Sequence, residues 1–157
     1  MDIKIKRLDE RAVMPVKAYP TDIGFDMTAI SLEFDEYGNA VFGFGWAFEI
    51  PEGYGGFLFP RSSATKYDVE MNNSVGLVDA WYRGEVKAKF RPISTKPVRG
   101  SKTDSIEVYC DGKAKIFKVG EKVAQMVILK LPDVSFVESD ELSDTPRGTG
   151  GWGHSGK

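Results

Sequence analysis

The chain has 157 residues, enough for one domain with a real core and too few for two comfortable ones. Hydrophobic residues make up 41%, and no apolar run approaches the roughly 18 residues that span a bilayer, so a soluble globular protein without a membrane partner is expected. With 21 basic and 23 acidic side chains the net charge is -2, which argues against a general nucleic-acid binder but leaves room for a small phosphorylated ligand. Cys110 is the only cysteine, which rules out an internal disulfide framework and a multi-cysteine zinc site. The first residues, Met1-Asp-Ile-Lys-Ile-Lys6, lack the apolar stretch of a secretion signal, and a cytoplasmic location is expected.

Period-two patterning dominates from the start of the chain. Ile3 and Ile5 alternate with Asp2, Lys4 and Lys6. Phe42, Phe44, Trp46, Phe48 and Ile50 take every second position, and Phe57 and Phe59 continue the style. A single short helix is expected over Ser62 to Val69, with Ser62 or Ser63 as its N-cap. Val86, Ala88 and Phe90 then alternate with Glu85, Lys87 and Lys89. Residues 91–105 read as a polar loop. Ile106, Val108 and Cys110 lead into Asp111-Gly112, a two-residue hairpin turn, so Cys110 reads as a structural strand residue. Val123 to Leu131 is an apolar run broken only by Gln125 and Lys130, as in a strand buried on both faces. Turn signals such as Tyr37-Gly38-Asn39, Pro51-Glu52-Gly53 and Val119-Gly120 separate these segments, which reads as an all-β sandwich or barrel.

Five stretches concentrate polar and glycine residues beside these strands. Asp26, two residues after Gly24, reads as a turn residue or as a carboxylate that organises water or a metal ion. Pro60-Arg61-Ser62-Ser63 reads as a helix cap with a surface Arg, or as a phosphate site at a helix N-terminus. Asp79 follows an apolar strand and precedes a turn that presents Tyr82. It is either a turn residue or an ionised carboxylate able to orient a water molecule. Gln125, entering an apolar strand, needs hydrogen-bond partners from backbone or ligand.

The last stretch, Arg147 to Lys157, holds five glycines, Trp152 and no aliphatic residue. Such a tail loses much entropy on ordering and is expected to be mobile. It is also built as a clamp: glycines let backbone N–H groups approach an anion, Arg147 offers a planar fork for phosphate, and Trp152 offers a face for a base. His154 reads as a solvated side chain or a phosphate neighbour. Residues 138–146 read as the linker to this arm, which divides the chain into a core of residues 1–137 and a linker and arm of residues 138–157.

In this order the five stretches resemble the five motifs of the homotrimeric dUTPases. Gly24-Phe-Asp-Met-Thr-Ala29 is similar to the first, Pro60-Arg-Ser-Ser63 to the second, and Gly76-Leu-Val-Asp79 through Tyr82-Arg-Gly84 to the third. Gly120-Glu-Lys-Val-Ala-Gln125 is similar to the fourth. Arg147-Gly148 with Gly150-Gly-Trp-Gly-His-Ser-Gly156 is similar to the fifth. Each motif alone says little, but five in order over residues 24–156 are specific.

The resemblance implies a jelly-roll β fold, a homotrimer with sites shared between subunits, and hydrolysis of dUTP to dUMP and pyrophosphate. Such an enzyme limits uracil incorporation into DNA and supplies dUMP for dTMP synthesis. By the same resemblance Asp79 would activate the attacking water, and Tyr82 would pack under the deoxyribose and exclude a 2′-hydroxyl. Asn73 and main-chain atoms of its hairpin, at Gly76 and Val78, would read uracil. Arg61, Ser62, Ser63 and Gln125 would contact the phosphate chain. Mg2+ would bind phosphate oxygens and waters, with Asp26 supporting it through water rather than as a direct ligand. Arg147, Ser155 and Gly156 would hold the γ-phosphate, while Trp152 would stack on uracil beside Gly153.

The chain departs from the family pattern in places. Trp152 stands where Phe is usual, Ile23 where Ala is frequent and Ser63 where Gly is common. The stretch from Arg91 to Lys118 is long and reads as an extra hairpin. Two other readings stay open: a dCTP deaminase-like enzyme, which shares the fold and an Arg-Ser-Ser segment, and a non-catalytic nucleotide-binding regulatory module. Lysines at the polar positions after Glu85, together with Tyr82 and the terminal clamp, favour dUTP hydrolysis.

Overall fold

The computed structural model describes residues 1–92 and 116–151. The Asp111-Gly112 hairpin, Cys110, Trp152, Gly153, His154, Ser155 and Gly156 lie outside the described residues. In chain order the strands are β1 (Lys4–Arg7), β2 (Phe25–Thr28), β3 (Ser31–Phe34), β4 (Ala40–Gly43) and β5 (Trp46–Glu49). They continue as β6 (Tyr54–Pro60), β7 (Val69–Met71), β8 (Gly76–Val78), β9 (Lys87–Pro92) and β10 (Lys122–Lys130). One four-stranded antiparallel sheet runs β2-β10-β6-β8, a second runs β3-β4-β9-β7, and β1 pairs with β5. The all-β expectation is met.

A shared apolar cluster holds the two larger sheets together. Met27 of β2, Leu58 of β6 and Val123 and Met126 of β10 are buried with Phe42 of β4, Met71 of β7 and Phe90 of β9. Phe42 and Phe90 meet edge to face, with centroids 5.7 Å apart at 79°. Phe117, ahead of β10, completes the group at 6.3 and 5.2 Å from those rings. Such aromatic pairs contribute about 0.5–1.5 kcal/mol each beyond their buried area. The alternation in β9 is kept: Val86, Ala88 and Phe90 are buried, while Lys87 and Lys89 are only partly covered.

Three expectations are modified. The aromatic run from Phe42 to Ile50 is two strands, because Gly45 turns the chain with φ +70, a left-handed conformation open to glycine. Gly43, Gly45 and Ala47 are buried as well, so both faces of this segment are covered. In β10 burial on both faces holds only at Val123 and Ala124, and Leu129 and Leu131 are 44% and 43% exposed. The expected helix is a five-residue 3-10 turn, Ser62–Lys66, and its N-cap is Arg61 rather than Ser62 or Ser63. No side chain caps it. The Arg61 side chain turns away to Asp26, and the Ser63 hydroxyl accepts from Arg61 Nη1 at 3.5 Å. So short a turn offers little dipole, and any anion affinity here comes from side-chain charge instead.

After β10 the Leu131 N–H donates to the Gly53 carbonyl at 2.7 Å, and residues 132–149 are all exposed. Val134, Phe136, Val137 and Leu142 are among them, with Phe136 99% exposed.

Candidate active site

Two clefts lie at opposite edges of the β2-β10-β6-β8 sheet. The first, about 520 Å³, is lined by Asn73, Gly76, Val78, Tyr82, Glu85 and Lys87, among others. The expected hairpin here is instead a turn linking β7 to β8, which lie in different sheets, and this turn forms one wall. Asn73 anchors it: its Nδ2 donates to the Lys87 carbonyl at 3.1 Å, and its Oδ1 accepts from the Lys89 N–H at 2.8 Å. The side-chain amide thus imitates a strand neighbour of β9. Both polar atoms of the Asn73 amide are engaged within the fold.

The Asp79–Tyr82 turn borders this cleft through Tyr82, whose N–H donates to the Asp79 carbonyl at 3.1 Å. Tyr82 is 45% exposed, and its hydroxyl donates to the Glu85 carbonyl at 3.0 Å. Asp79 is exposed, follows the buried Val78, and its carboxylate has no side-chain partner among the described residues. It stands beside the cleft rather than within its lining. Glu85 is already engaged, accepting from the Gly45 N–H at 2.8 Å and pairing with Lys87 at 3.3 Å.

The second cleft, about 570 Å³, is lined by Asp22, Gly24, Asp26, Arg61, Ser62 and Gln125, among others. Asp26 is 8% exposed and pairs with two cations, Arg61 Nε at 2.7 Å and Lys122 Nζ at 2.9 Å. Strand register produces this arrangement, since Asp26 sits opposite Gln125, which sits opposite Phe59, and Arg61 follows two residues later. Arg61 reaches across β10, donating from Nη1 to the Lys122 carbonyl at 3.3 Å. Gln125 donates to the Pro60 carbonyl at 3.1 Å, and Gly24 makes room for it, since a Cβ there would lie 2.9 Å from the Gln125 amide oxygen.

Asp26, Arg61, Ser62 and Gln125 therefore share one cleft, and Asn73, Gly76, Val78 and Tyr82 share the other. Ser63 sits behind Arg61. Three inter-strand steps of about 4.8 Å separate β2 from β8, on the order of 14 Å. Arg147 is in neither cleft; its Nε donates to the Gly150 carbonyl at 2.9 Å within the exposed tail. Lys122 was not among the expected site residues. A buried carboxylate facing two cations is its signature, but a β-bulge between Lys122 and Ala124 directs it, and bulges leave no mark in residue patterning.

A polar cleft holding the Asp26–Arg61 pair thus lies apart from a second cleft walled by Asn73, Gly76, Val78 and Tyr82. The family model for dUTPases matches residues 10–106. A deoxyuridine 5'-triphosphate nucleotidohydrolase of Thermobifida fusca is 35% identical over 156 residues, covering 98% of this chain and 78% of that one. A Staphylococcus bacteriophage 80alpha dUTPase mutant bound to dUpNHpp matches with TM-score 0.81 and 26% identity, covering 99% of each chain. A mutant dUTPase from phage phi11 of S. aureus, whose structure is described as revealing the coordination of a structural Mg(II) ion, shares the fold at TM-score 0.73 and 24% identity over 92% of this chain and 100% of that one. The chain belongs to the dUTPase family.

Proposed function

We infer that this chain is a dUTP diphosphatase, hydrolysing dUTP to dUMP and pyrophosphate by attack of water on the α-phosphorus. The observation that carries this reading is the Asp79–Tyr82 turn, which leaves a carboxylate without a side-chain partner among the described residues, beside a ring-sized cleft in a chain of this family. A free carboxylate at that place orients a water and accepts its proton. Tyr82 floors the deoxyribose and the peptides at Gly76 and Val78 read uracil, with Asn73 holding the β7–β8 turn in place. Arg61, Lys122, Ser62, Ser63 and Gln125 face the phosphate chain, and Arg147, Trp152, Gly153, Ser155 and Gly156 close over it.

Among the described residues no cluster of three acidic, His or Cys side chains forms a metal cage. The buried carboxylate of Asp26, flanked by Arg61 and Lys122, fits Mg2+ held mainly by substrate oxygens and water, with Asp26 reached through water. When bound, the ion neutralises charge on the phosphates. Arg61 and Lys122 hold Asp26 in place, and both keep donors for phosphate oxygens.

Residues 1–137 are read as the core and 138–157 as linker and arm. Two features of the single chain support the reading of a homotrimer. The two half-sites lie at opposite sheet edges, and Phe136, Val137 and Leu142 are exposed after β10. A cytoplasmic location, with the nucleotide pool, goes with this reading; among the described residues no helix is long and apolar enough to cross a membrane. Nothing favours the deaminase alternative, since both oxygens of Glu85 are engaged. The test is pyrophosphate release from dUTP, dTTP, dCTP and UTP, with ammonia assayed in parallel. Release confined to dUTP is expected; ammonia from dCTP would sink the reading.

A further inference from the structure

We propose that Gly84 is a positioning residue of the sugar pocket, its bare α-carbon setting the depth of the Tyr82 ring and thereby the preference for a 2′-deoxy over a 2′-hydroxy nucleotide. The proposal rests on the reading of Tyr82 as the floor under the sugar.

Tyr82 is tethered at both ends, by its N–H to the Asp79 carbonyl and by its hydroxyl to the Glu85 carbonyl. Between these anchors the ring folds back over Gly84. A Cβ on Gly84 would lie 2.5 Å from Tyr82 Cζ and 2.9 Å from Cε2, and closer still to the hydroxyl oxygen. Ordinary contact begins near 3.4 Å, so a methyl group there displaces the tip of the ring by about 1 Å.

The ring cannot yield by carrying its anchor along. Glu85 is fixed through the Gly45 N–H and Lys87, and the next residue, Val86, donates its N–H to the Trp46 carbonyl at 3.0 Å. Nor is the glycine needed for its backbone, because Gly84 is not among the residues with positive φ. The demand for glycine comes from the ring alone. That ring lines the cleft with Asn73, Gly76 and Val78, so a displaced ring either crowds the deoxyribose or opens room for a hydroxyl. A ring pushed away from the sugar opens that room and so reduces the difference between the two sugars.

The experiment compares kcat/KM for dUTP and UTP in the unmutated enzyme, Gly84→Ala, Tyr82→Ala and the double variant. Gly84→Ala is expected to lower the dUTP-to-UTP ratio about 10–100-fold, the usual consequence of a 1 Å misplacement. Added to Tyr82→Ala, the same change should alter the ratio by less than about twofold, since no ring is left to displace. An unchanged ratio in Gly84→Ala while Tyr82→Ala lowers it would overturn the role of Gly84 and spare that of Tyr82. An unchanged ratio in Tyr82→Ala would remove the sugar-floor reading and this proposal together. If Gly84→Ala does not fold, thermal melting of the double variant decides: recovery of the fold supports the ring contact, and failure to recover contradicts it.

Discussion

Asp79 and Asp26 are carboxylates with opposite surroundings. Asp26 is buried and paired with Arg61 and Lys122, whereas Asp79 is exposed and free of side-chain partners among the described residues. A group with no structural bonds is dispensable to the fold, so its effect should be confined to chemistry. Asp79→Asn is expected to keep the melting temperature and nucleotide binding while lowering kcat by about 10²–10⁴-fold. Pyrophosphate release and calorimetric titration with a non-hydrolysable dUTP analogue would check both halves. Unmutated turnover would remove the carboxylate from the mechanism.

The turn from β7 to β8 is tied down by amide side chains. Asn73→Ala removes the bonds to the Lys87 carbonyl and the Lys89 N–H and leaves two partly buried peptide groups unpaired. A loss of about 1–3 kcal/mol is expected in urea unfolding, with a raised KM for dUTP. Unchanged stability would show that water replaces the amide. The neighbouring turn between β3 and β4 is tied to the same region, since Asn72 donates to Asn39, and Asn39 and Lys89 donate to Asp35. The Asn39 amide, then the Asn39 backbone N–H, Lys89 and the Tyr37 N–H, hold the Asp35 carboxyl at about 2 against an ordinary 3.8. A carboxyl lowered on folding contributes stability that is fully present above its unfolded value and is lost as pH falls toward the folded one. Melting temperature should therefore drop between about pH 4 and pH 2, less steeply in Asp35→Asn. The slope should not vanish, because Asp9, lowered to about 2 by its bonds from Arg11, titrates in the same window. Equal slopes in both proteins would contradict the assignment to Asp35.

For the whole molecule, the proposed assembly completes half-sites on the order of 14 Å apart with residues from more than one chain. Light scattering should give about three times the 17.4 kDa chain mass. Subunits carrying Asp79→Asn, mixed with subunits truncated before Arg147, should recover activity that neither has alone, since the two defects then fall in different composite sites. No recovery on mixing, with trimers still formed, would mean that each chain completes its own site.

Strand periodicity, turn placement and the five ordered motifs are local properties of residue order, so residue order alone makes them legible. Alternation of Val86, Ala88 and Phe90 with lysines carries β9, and Asp79 stands at the head of its turn as the local pattern requires. The expected Ser62 cap does not form, because Arg61 turns toward a carboxylate 35 positions earlier in the chain, a competition invisible to local propensity. Lys122 joins Asp26 through a bulge, and Tyr82 rests on Gly84 because both of its anchors are set by neighbouring segments of the fold. Residue order by itself thus determined which groups could serve the chemistry. Only tertiary structure decided which of them meet, because pairing across strands depends on register and on the partners competing for each donor and acceptor.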